Sequence, residues 1–288
     1  MTVESFRGPG GATLSYRRDD FTDPWIEAPT IVLQHGFPRN SNMFYAWVPH
    51  LARDFRVVRP DLRGLGLSKV PSQGFENSLE SLRSDAVALF DHLNADKVIW
   101  VGEATGGLLG MTLGALVPER IMGVIVFTSS LSMTNWRLPE YAKDLAPGEA
   151  VLGTDGMAYM QRAGMRAWAR ACAKTRPWLQ REPSPDYVEW YVNELTNNDP
   201  LLCAEFFRPM PAVDVRPYLP AMRVPLLYLD GTWGHALDRD DLTFLKQQAC
   251  ATVVEIDGPG MDLGYARPEA CVTEVRAWLT SFGIGPKP

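Results

Sequence analysis

One stretch, residues 98–107, joins a strand-like apolar run to a set of closely spaced glycines. Its second half reads Gly102-Glu103-Ala104-Thr105-Gly106-Gly107, and a helix-forming segment follows over 108–116. Small residues on both sides of one position allow a sharp, strained turn that exposes a single side chain, which is how a Gly-x-Ser-x-Gly turn presents a nucleophilic serine. Here the exposed position is Ala104, which carries no nucleophile. The spacing therefore predicts the turn and leaves its chemistry open.

Two titratable residues near the predicted turn can transfer protons. Glu103 precedes Ala104, and a carboxylate beneath apolar cover acquires a raised pKa that suits an acid or base. The alternative for Glu103 is an outward-facing ion pair or a hydrogen bond to the backbone of the turn. His235 follows a predicted strand and can act as a general base near neutral pH if its side chain turns inward. The alternative for His235 is a surface loop position.

A second group of residues is predicted to contact a ligand. His35, Arg39 and Asn40 follow the first buried strand, where Arg39 and Asn40 can reach a ligand carboxylate. The alternative for Arg39 and Asn40 is a solvated loop. The alternative for His35 is a structural role, in which its hydrogen bonds connect two loops. Large aromatic residues can form an apolar pocket over the turn. The aromatic candidates are Trp136, Tyr141, Trp168 and Tyr265.

The composition excludes several classes of protein. The chain has 288 residues, 46% of them hydrophobic and 22% charged, with a formal net charge of −6. No basic stripe or apolar run of about 18 residues occurs, which argues against nucleic-acid or membrane partners. The four cysteines and four histidines show no metal-ligand spacing. We expect a cytoplasmic protein with a small-molecule partner and with no metal or cofactor; both a monomer and a homodimer remain open.

Strands alternate with helices in most of the chain, which predicts an α/β fold with a mostly parallel, doubly wound sheet. Apolar periodicity predicts early helices such as one over 41–52. The alternation stops over 132–221, which is helical and rich in aromatic and sulfur-containing residues and includes a predicted helix over 156–172. We interpret 132–221 as a helical cap inserted into one core domain made of 1–131 and 222–288.

Four motifs, taken in order, resemble those of the α/β-hydrolase superfamily along nearly the whole chain. The resemblance is to the branch of epoxide hydrolases, fluoroacetate dehalogenases and enol-lactonases. The motifs are His35-Gly36-Phe37-Pro38, the segment from Pro60 to Ser68, Gly102 to Gly107, and Gly258-Pro259-Gly260-Met261 with Arg267-Pro268-Glu269.

The resemblance implies a role for backbone amides and a loss of the catalytic triad. The amides of Phe37 and Thr105 would form an oxyanion hole, which survives substitution of side chains. The nucleophile position holds Ala104, the histidine position holds Met261, and the usual acid position falls on Gly234. Without a nucleophile and its base, the acyl-enzyme route is closed.

Three hypotheses follow for function. The first is an enzyme that acts on a small, largely apolar carbonyl metabolite by a non-serine mechanism, with the oxyanion hole plus His235 or Glu103 as general acid or base. Decarboxylation, isomerisation, cyclisation and C–C cleavage belong to this class. The second is a catalytically inactive homologue that binds a ligand or partner. The third is an ester, lactone or C–C hydrolase whose nucleophile is substituted at Ala104.

Overall fold

The strands of the described chain form one eight-stranded sheet in this computed structural model. The structure describes residues 2–71, 77–133, 145–151, 153–234 and 236–287. The strands are β1 (Thr2–Arg7), β2 (Thr13–Asp19), β3 (Thr30–Gln34), β4 (Arg56–Pro60), β5 (Val98–Glu103), β6 (Ile121–Phe127), β7 (Leu226–Trp233) and β8 (Ala251–Pro259).

The sheet is parallel from β4 to β8 and antiparallel at its β1 end. Its strand order is β1-β2-β4-β3-β5-β6-β7-β8, with β2 antiparallel to both β1 and β4. The neighbours β3 and β5 run in parallel, with Gln34 paired to Gly102. Their carboxyl ends therefore lie side by side, and this adjacency brings the two loops of the site together.

Helices of very different lengths connect these strands. The described helices are α1 (Val48–Leu51), α2 (Leu79–His92), α3 (Thr105–Leu116), α4 (Gly153–Ala163), α5 (Met165–Lys174), α6 (Pro185–Thr196), α7 (Pro200–Phe207), α8 (Arg239–Lys246), α9 (Leu263–Ala266) and α10 (Pro268–Ser281). Short 3-10 turns lie between several of them.

Both faces of the sheet are buried, because neighbouring residues of one strand enter different apolar clusters. Val32 and Trp100 pack into the cluster that contains α2 and α3, whereas Ile31 and Ile99 pack into the cluster that contains α1 and α10. Alternate side chains point to opposite faces of a strand, so this division places helices on both sides. The predicted doubly wound, mostly parallel α/β architecture is confirmed.

The segment between β6 and β7 contributes α4 to α7 and packs against loops that follow β3 and β4. Asn198 donates to the Pro38 carbonyl at 2.7 Å and accepts from the Gly66 amide at 2.8 Å. Asn40 donates to Oε2 of Glu194 at 2.9 Å. These contacts hold the segment against the core, and the division into a core and an inserted cap stays a prediction.

Two predicted helices are shorter in the structure than in the sequence pattern. The predicted helix over 41–52 is a 3-10 turn, Ser41–Phe44, followed by α1. Pro49 lies at the start of α1, where its missing N–H costs no helical hydrogen bond. The predicted helix over 156–172 is divided between α4 and α5 at Gly164, whose φ of +85° ends a right-handed helix. No described helix is long and apolar enough to cross a bilayer.

Candidate active site

The turn at Ala104 has the strained geometry that its sequence predicts. Ala104 has φ 49° and ψ −113° between β5 and α3. The turn needs small neighbours: a Cβ on Gly102 would lie 2.1 Å from the Gly106 carbonyl oxygen, and one on Gly106 would lie 2.4 Å from that of Gln34. The Ala104 amide donates to the Phe127 carbonyl at 3.3 Å. The turn is therefore fixed by close backbone packing and presents a methyl group.

A second turn, which follows β3, lies directly against Ala104. An ideal Cβ on Gly36 would come within 2.6 Å of the Ala104 Cβ. The Arg39 amide donates to the Gly36 carbonyl at 2.9 Å and closes this turn. The amides of Phe37 and Thr105 donate to no acceptor within the described ranges. Thr105 is the first residue of α3, where the helix itself offers its N–H no partner.

Glu103 fixes the Gly36 turn from below. Its carboxyl is fully buried, and Oε2 accepts from the Gly36 amide at 2.7 Å and from the Tyr265 hydroxyl at 3.4 Å. Oε1 accepts from the Arg39 guanidinium. Burial raises the pKa of Glu103; Arg39 opposes the rise and Asp262 adds to it. These contacts differ from the predicted alternative, because the ion pair is buried instead of outward and the backbone bond goes to the turn after β3.

Arg39, Glu103, Arg176 and Asp262 together form what we call the buried charge cluster. Asp262 accepts from Arg39 through Oδ1, and its Oδ2 lies 2.9 Å from Nε of Arg176. Trp178 donates to the same Oδ2 at 3.4 Å. Burial alone would raise the pKa of Asp262, but the attraction of Arg39 and Arg176 outweighs burial and lowers it. Asp262 thus connects the turn after β3 to the segment that follows α5.

A small cavity of about 80 Å³ opens beside Ala104. Its lining is divided evenly between polar and apolar residues. Besides Ala104, the polar residues are Arg39, Glu103, Thr105, Thr128, Ser130 and Arg176, and the apolar ones are Phe37, Leu108, Met133, Phe207, Ala236 and Met261.

Comparison with known proteins identifies this architecture. A family model described as alpha/beta hydrolase fold matches residues 29–147. The chain is 25% identical to the structure of the enol-lactonase from Burkholderia xenovorans LB400, with a TM-score of 0.79 and coverage of 96% of this chain and 100% of that one. The chain has the α/β-hydrolase fold.

Sequence relatives place this α/β-hydrolase-fold chain near both lactonases and uncharacterised hydrolases. It is 24% identical to 3-oxoadipate enol-lactonase 2 of Acinetobacter baylyi, over 89% of this chain and 90% of the relative. It is 37% identical to an uncharacterized hydrolase of Saccharomyces cerevisiae over 97 residues, 34% of this chain. That second match spans only 33% of the yeast protein's length.

In this α/β-hydrolase fold, six predicted site residues line the cavity and four lie behind or beside it. Phe37, Arg39, Glu103, Ala104, Thr105 and Met261 line it. Trp136, Tyr141 and His235 lie outside the described residues. The other four are His35, Asn40, Trp168 and Tyr265.

His35 ties two loops together and does not line the cavity, contrary to its predicted contact with a ligand. Its Nε2 accepts from the Leu62 amide at 3.1 Å, so Nδ1 carries the proton and donates to the Gly36 carbonyl at 2.9 Å. Burial lowers the pKa of His35, which keeps the ring neutral. The side chain is fully buried, so it holds the turn that carries Phe37.

The remaining three side chains also face protein instead of the cavity. Asn40 is bonded to Glu194 of α6, and Trp168 donates to the Val151 carbonyl at 3.2 Å inside the α4–α7 segment. Tyr265 lies under Arg39, with 4.9 Å between its ring centre and the guanidinium carbon. Contact with a ligand is therefore not the role that their positions support.

Sequence reasoning missed Arg176, which lines the cavity. It lies just after α5, next to Pro177, in no motif. Its partner Asp262 directly follows Met261, the altered histidine position. This acidic residue was the available sequence signal for a charge cluster, and it does not point to Arg176.

Proposed function

We propose that this protein is an enzyme that binds a small, largely apolar carbonyl metabolite and stabilises negative charge on its carbonyl oxygen without a covalent intermediate. The observation that carries this proposal is the pair of amides of Phe37 and Thr105. Both residues line the cavity with Ala104, and neither amide has an acceptor in the described chain. Preorganised donors of this kind stabilise an enolate or tetrahedral oxyanion strongly because they need not reorient during the reaction.

The groups at the site restrict the reaction class. Decarboxylation of a β-keto acid requires no base, since the departing carbon dioxide leaves its electron pair on the carbonyl oxygen. Isomerisation, cyclisation and C–C cleavage require a proton acceptor. The carboxylate of Glu103 is already engaged by Gly36, Arg39 and Tyr265, which favours a positioning role. Proton transfer then falls to His235, to water or to the substrate itself.

The similar proteins support the substrate class. Two of them are named enol-lactonases, and an enol-lactone is a small carbonyl compound. The apolar part of the lining, with Met261 where a histidine is usual for the superfamily, suits an organic ligand better than an activated water.

The first test incubates the purified protein with a metabolite extract of its source cells and follows both by mass spectrometry. We expect catalytic consumption of one species. A product lighter by carbon dioxide indicates decarboxylation, one of equal mass indicates isomerisation or cyclisation, and one heavier by water indicates hydrolysis. Depletion that stops at one ligand per protein, without product, would replace the enzyme by a binding protein.

The second test removes one proposed oxyanion donor. Thr105→Pro deletes the amide hydrogen at the first position of α3, where proline is tolerated. Ala104, with φ 49° and ψ −113°, lies outside the extended region that a following proline favours, so circular dichroism and urea denaturation must show that the variant keeps its fold. Turnover of the metabolite should fall by about 10²–10³-fold. Thr105→Ala keeps the amide and should stay near the parent rate; equal losses in both variants would refute the role of the amide.

Two alternatives rest on the absence of a nucleophile at Ala104. A catalytically inactive homologue would bind a ligand or partner and convert nothing, which the first test detects. A hydrolase with a substituted nucleophile should recover ester or lactone hydrolysis in Ala104→Ser. We expect no recovery, because Met261 offers no base to the new hydroxyl.

A further inference from the structure

The cavity contains two guanidinium groups that meet at one carboxylate. Arg39 and Arg176 both line it, and they contact different oxygens of Asp262. We propose that Arg39 and Arg176 bind the carboxylate of the substrate, so that the ligand class is an apolar carboxylic acid that carries a separate carbonyl group. The carbonyl half of this statement rests on the proposed function, whereas the carboxylate half rests on the charge cluster alone.

Arg39 has a donor left over after its protein contacts. Its two terminal nitrogens bind Glu103 and Asp262, and one of them also donates to the Tyr191 hydroxyl at 3.3 Å. Its Nε is buried and has no hydrogen-bond partner in the described part of the chain. A buried donor on a cation is costly to leave unpaired. An oxygen of a ligand in the cavity that Arg39 lines would satisfy it.

The charges of the buried charge cluster favour an anion. Burial raises the pKa of Glu103, which faces Arg39, Tyr265 and Asp262. The guanidinium groups of Arg39 and Arg176 line the cavity in a buried, low-dielectric region, where a cation interacts strongly with a ligand anion.

The lining suits an anion on an apolar body. A guanidinium binds a carboxylate through charge-assisted hydrogen bonds. The apolar residues around the charged pair, including Leu108, Met133 and Phe207, suit a hydrocarbon chain. A carboxylic acid with a hydrocarbon body has both features.

The test measures binding of three probes to the full-length protein by calorimetry: hexanoate, hexanamide and hexyl phosphate. Hexanoate should bind roughly 10–100-fold more tightly than hexanamide, the range expected for charge-assisted hydrogen bonds. Arg176→Gln should remove most of this preference, and Arg176→Lys should restore part of it. Arg170→Gln, an exposed change in α5 that removes a pair with Glu189, should leave all three affinities unchanged.

Each outcome decides the proposal. Equal affinity for hexanoate and hexanamide, or binding of no probe, overturns the carboxylate site. Tighter binding of hexyl phosphate overturns it in favour of a phosphate ligand. An Arg176→Gln protein that keeps its circular dichroism and still prefers hexanoate overturns the role of Arg176. Hexanoate binding without turnover of any metabolite contradicts only the proposed function, and turnover of a metabolite without a carboxylate contradicts only this inference.

Discussion

Asp262→Asn tests the buried charge cluster without any knowledge of the substrate. Asp262 is fully buried, contacts Arg39 and Arg176 and accepts from Trp178. Its φ of 66° is left-handed, a region that asparagine also adopts readily, so the substitution leaves backbone and shape unchanged. The change therefore removes one negative charge. It also places the NH2 group of the asparagine against one of the two guanidinium groups, and both of these groups are donors.

The expected loss is large because one partner of a buried ion pair is removed. Such a change costs about 3–5 kcal/mol of unfolding free energy. The matched control is Glu189→Gln, since Glu189 also pairs with two arginines, Arg166 and Arg170, but its side chain is 41% exposed. An exposed pair contributes about 0–1 kcal/mol. Urea denaturation of both variants, followed by circular dichroism, measures the difference.

The pH dependence gives the same prediction a second readout. The pKa of Asp262 is lowered in the folded protein, because Arg39 and Arg176 outweigh the effect of burial. A lowered carboxyl pKa stabilises the fold above the unfolded pKa, and this stabilisation is lost as pH falls through the folded pKa. The deficit of Asp262→Asn should persist at neutral pH and shrink only below about pH 4. A loss no larger than that of Glu189→Gln, or one independent of pH, would refute the reasoning.

Two further predictions concern the turn at Ala104. Ala104→Gly should raise the unfolding free energy by about 1 kcal/mol, because glycine adopts the φ of 49° without steric cost. The control Ala88→Gly, within α2, should lower it by a similar amount. A loss of stability in Ala104→Gly, measured by urea denaturation, would contradict this prediction. Gly106→Ala should cost about 1–3 kcal/mol, because its Cβ would lie 2.4 Å from a backbone oxygen. Gly114→Ala is its control in thermal denaturation, since its nearest neighbour would be the flexible end of Met222 at 2.4 Å, with a methyl group of Val124 at 3.1 Å and no backbone atom among the nearest contacts.

The turn and the sheet could be predicted from sequence because their signals are local. Gly102, Ala104 and Gly106 lie within five residues of each other, and the alternation of strands and helices needs no tertiary information. Helix lengths were less predictable, since Gly164 interrupts an apolar periodicity that otherwise continues. Periodicity reports which residues are buried, whereas left-handed φ values decide where a helix ends.

The buried charge cluster could not be predicted, because its members lie on distant segments. Arg39 was interpreted as a loop residue that reaches a ligand, and Glu103 as either a base or an ion-pair partner. Their mutual contact depends on β3 and β5 being neighbours in the sheet. Arg176 gave no signal at all, since a single arginine after a helix is typical of solvated surfaces. Only the fold shows that these charges meet.

The geometry at Ala104 suggests a role for a strained turn that carries no nucleophile. A non-glycine residue in a sparsely populated conformation costs about 1–3 kcal/mol and persists only where its surroundings enforce it. The turn presents a methyl group, and α3 begins directly after it at Thr105, which lines the cavity. We propose that the strain positions the backbone amide of Thr105 instead of a reactive side chain. If Ala104→Gly gains stability but loses turnover together with Thr105→Pro, orientation of the amide is the reason for the strained turn.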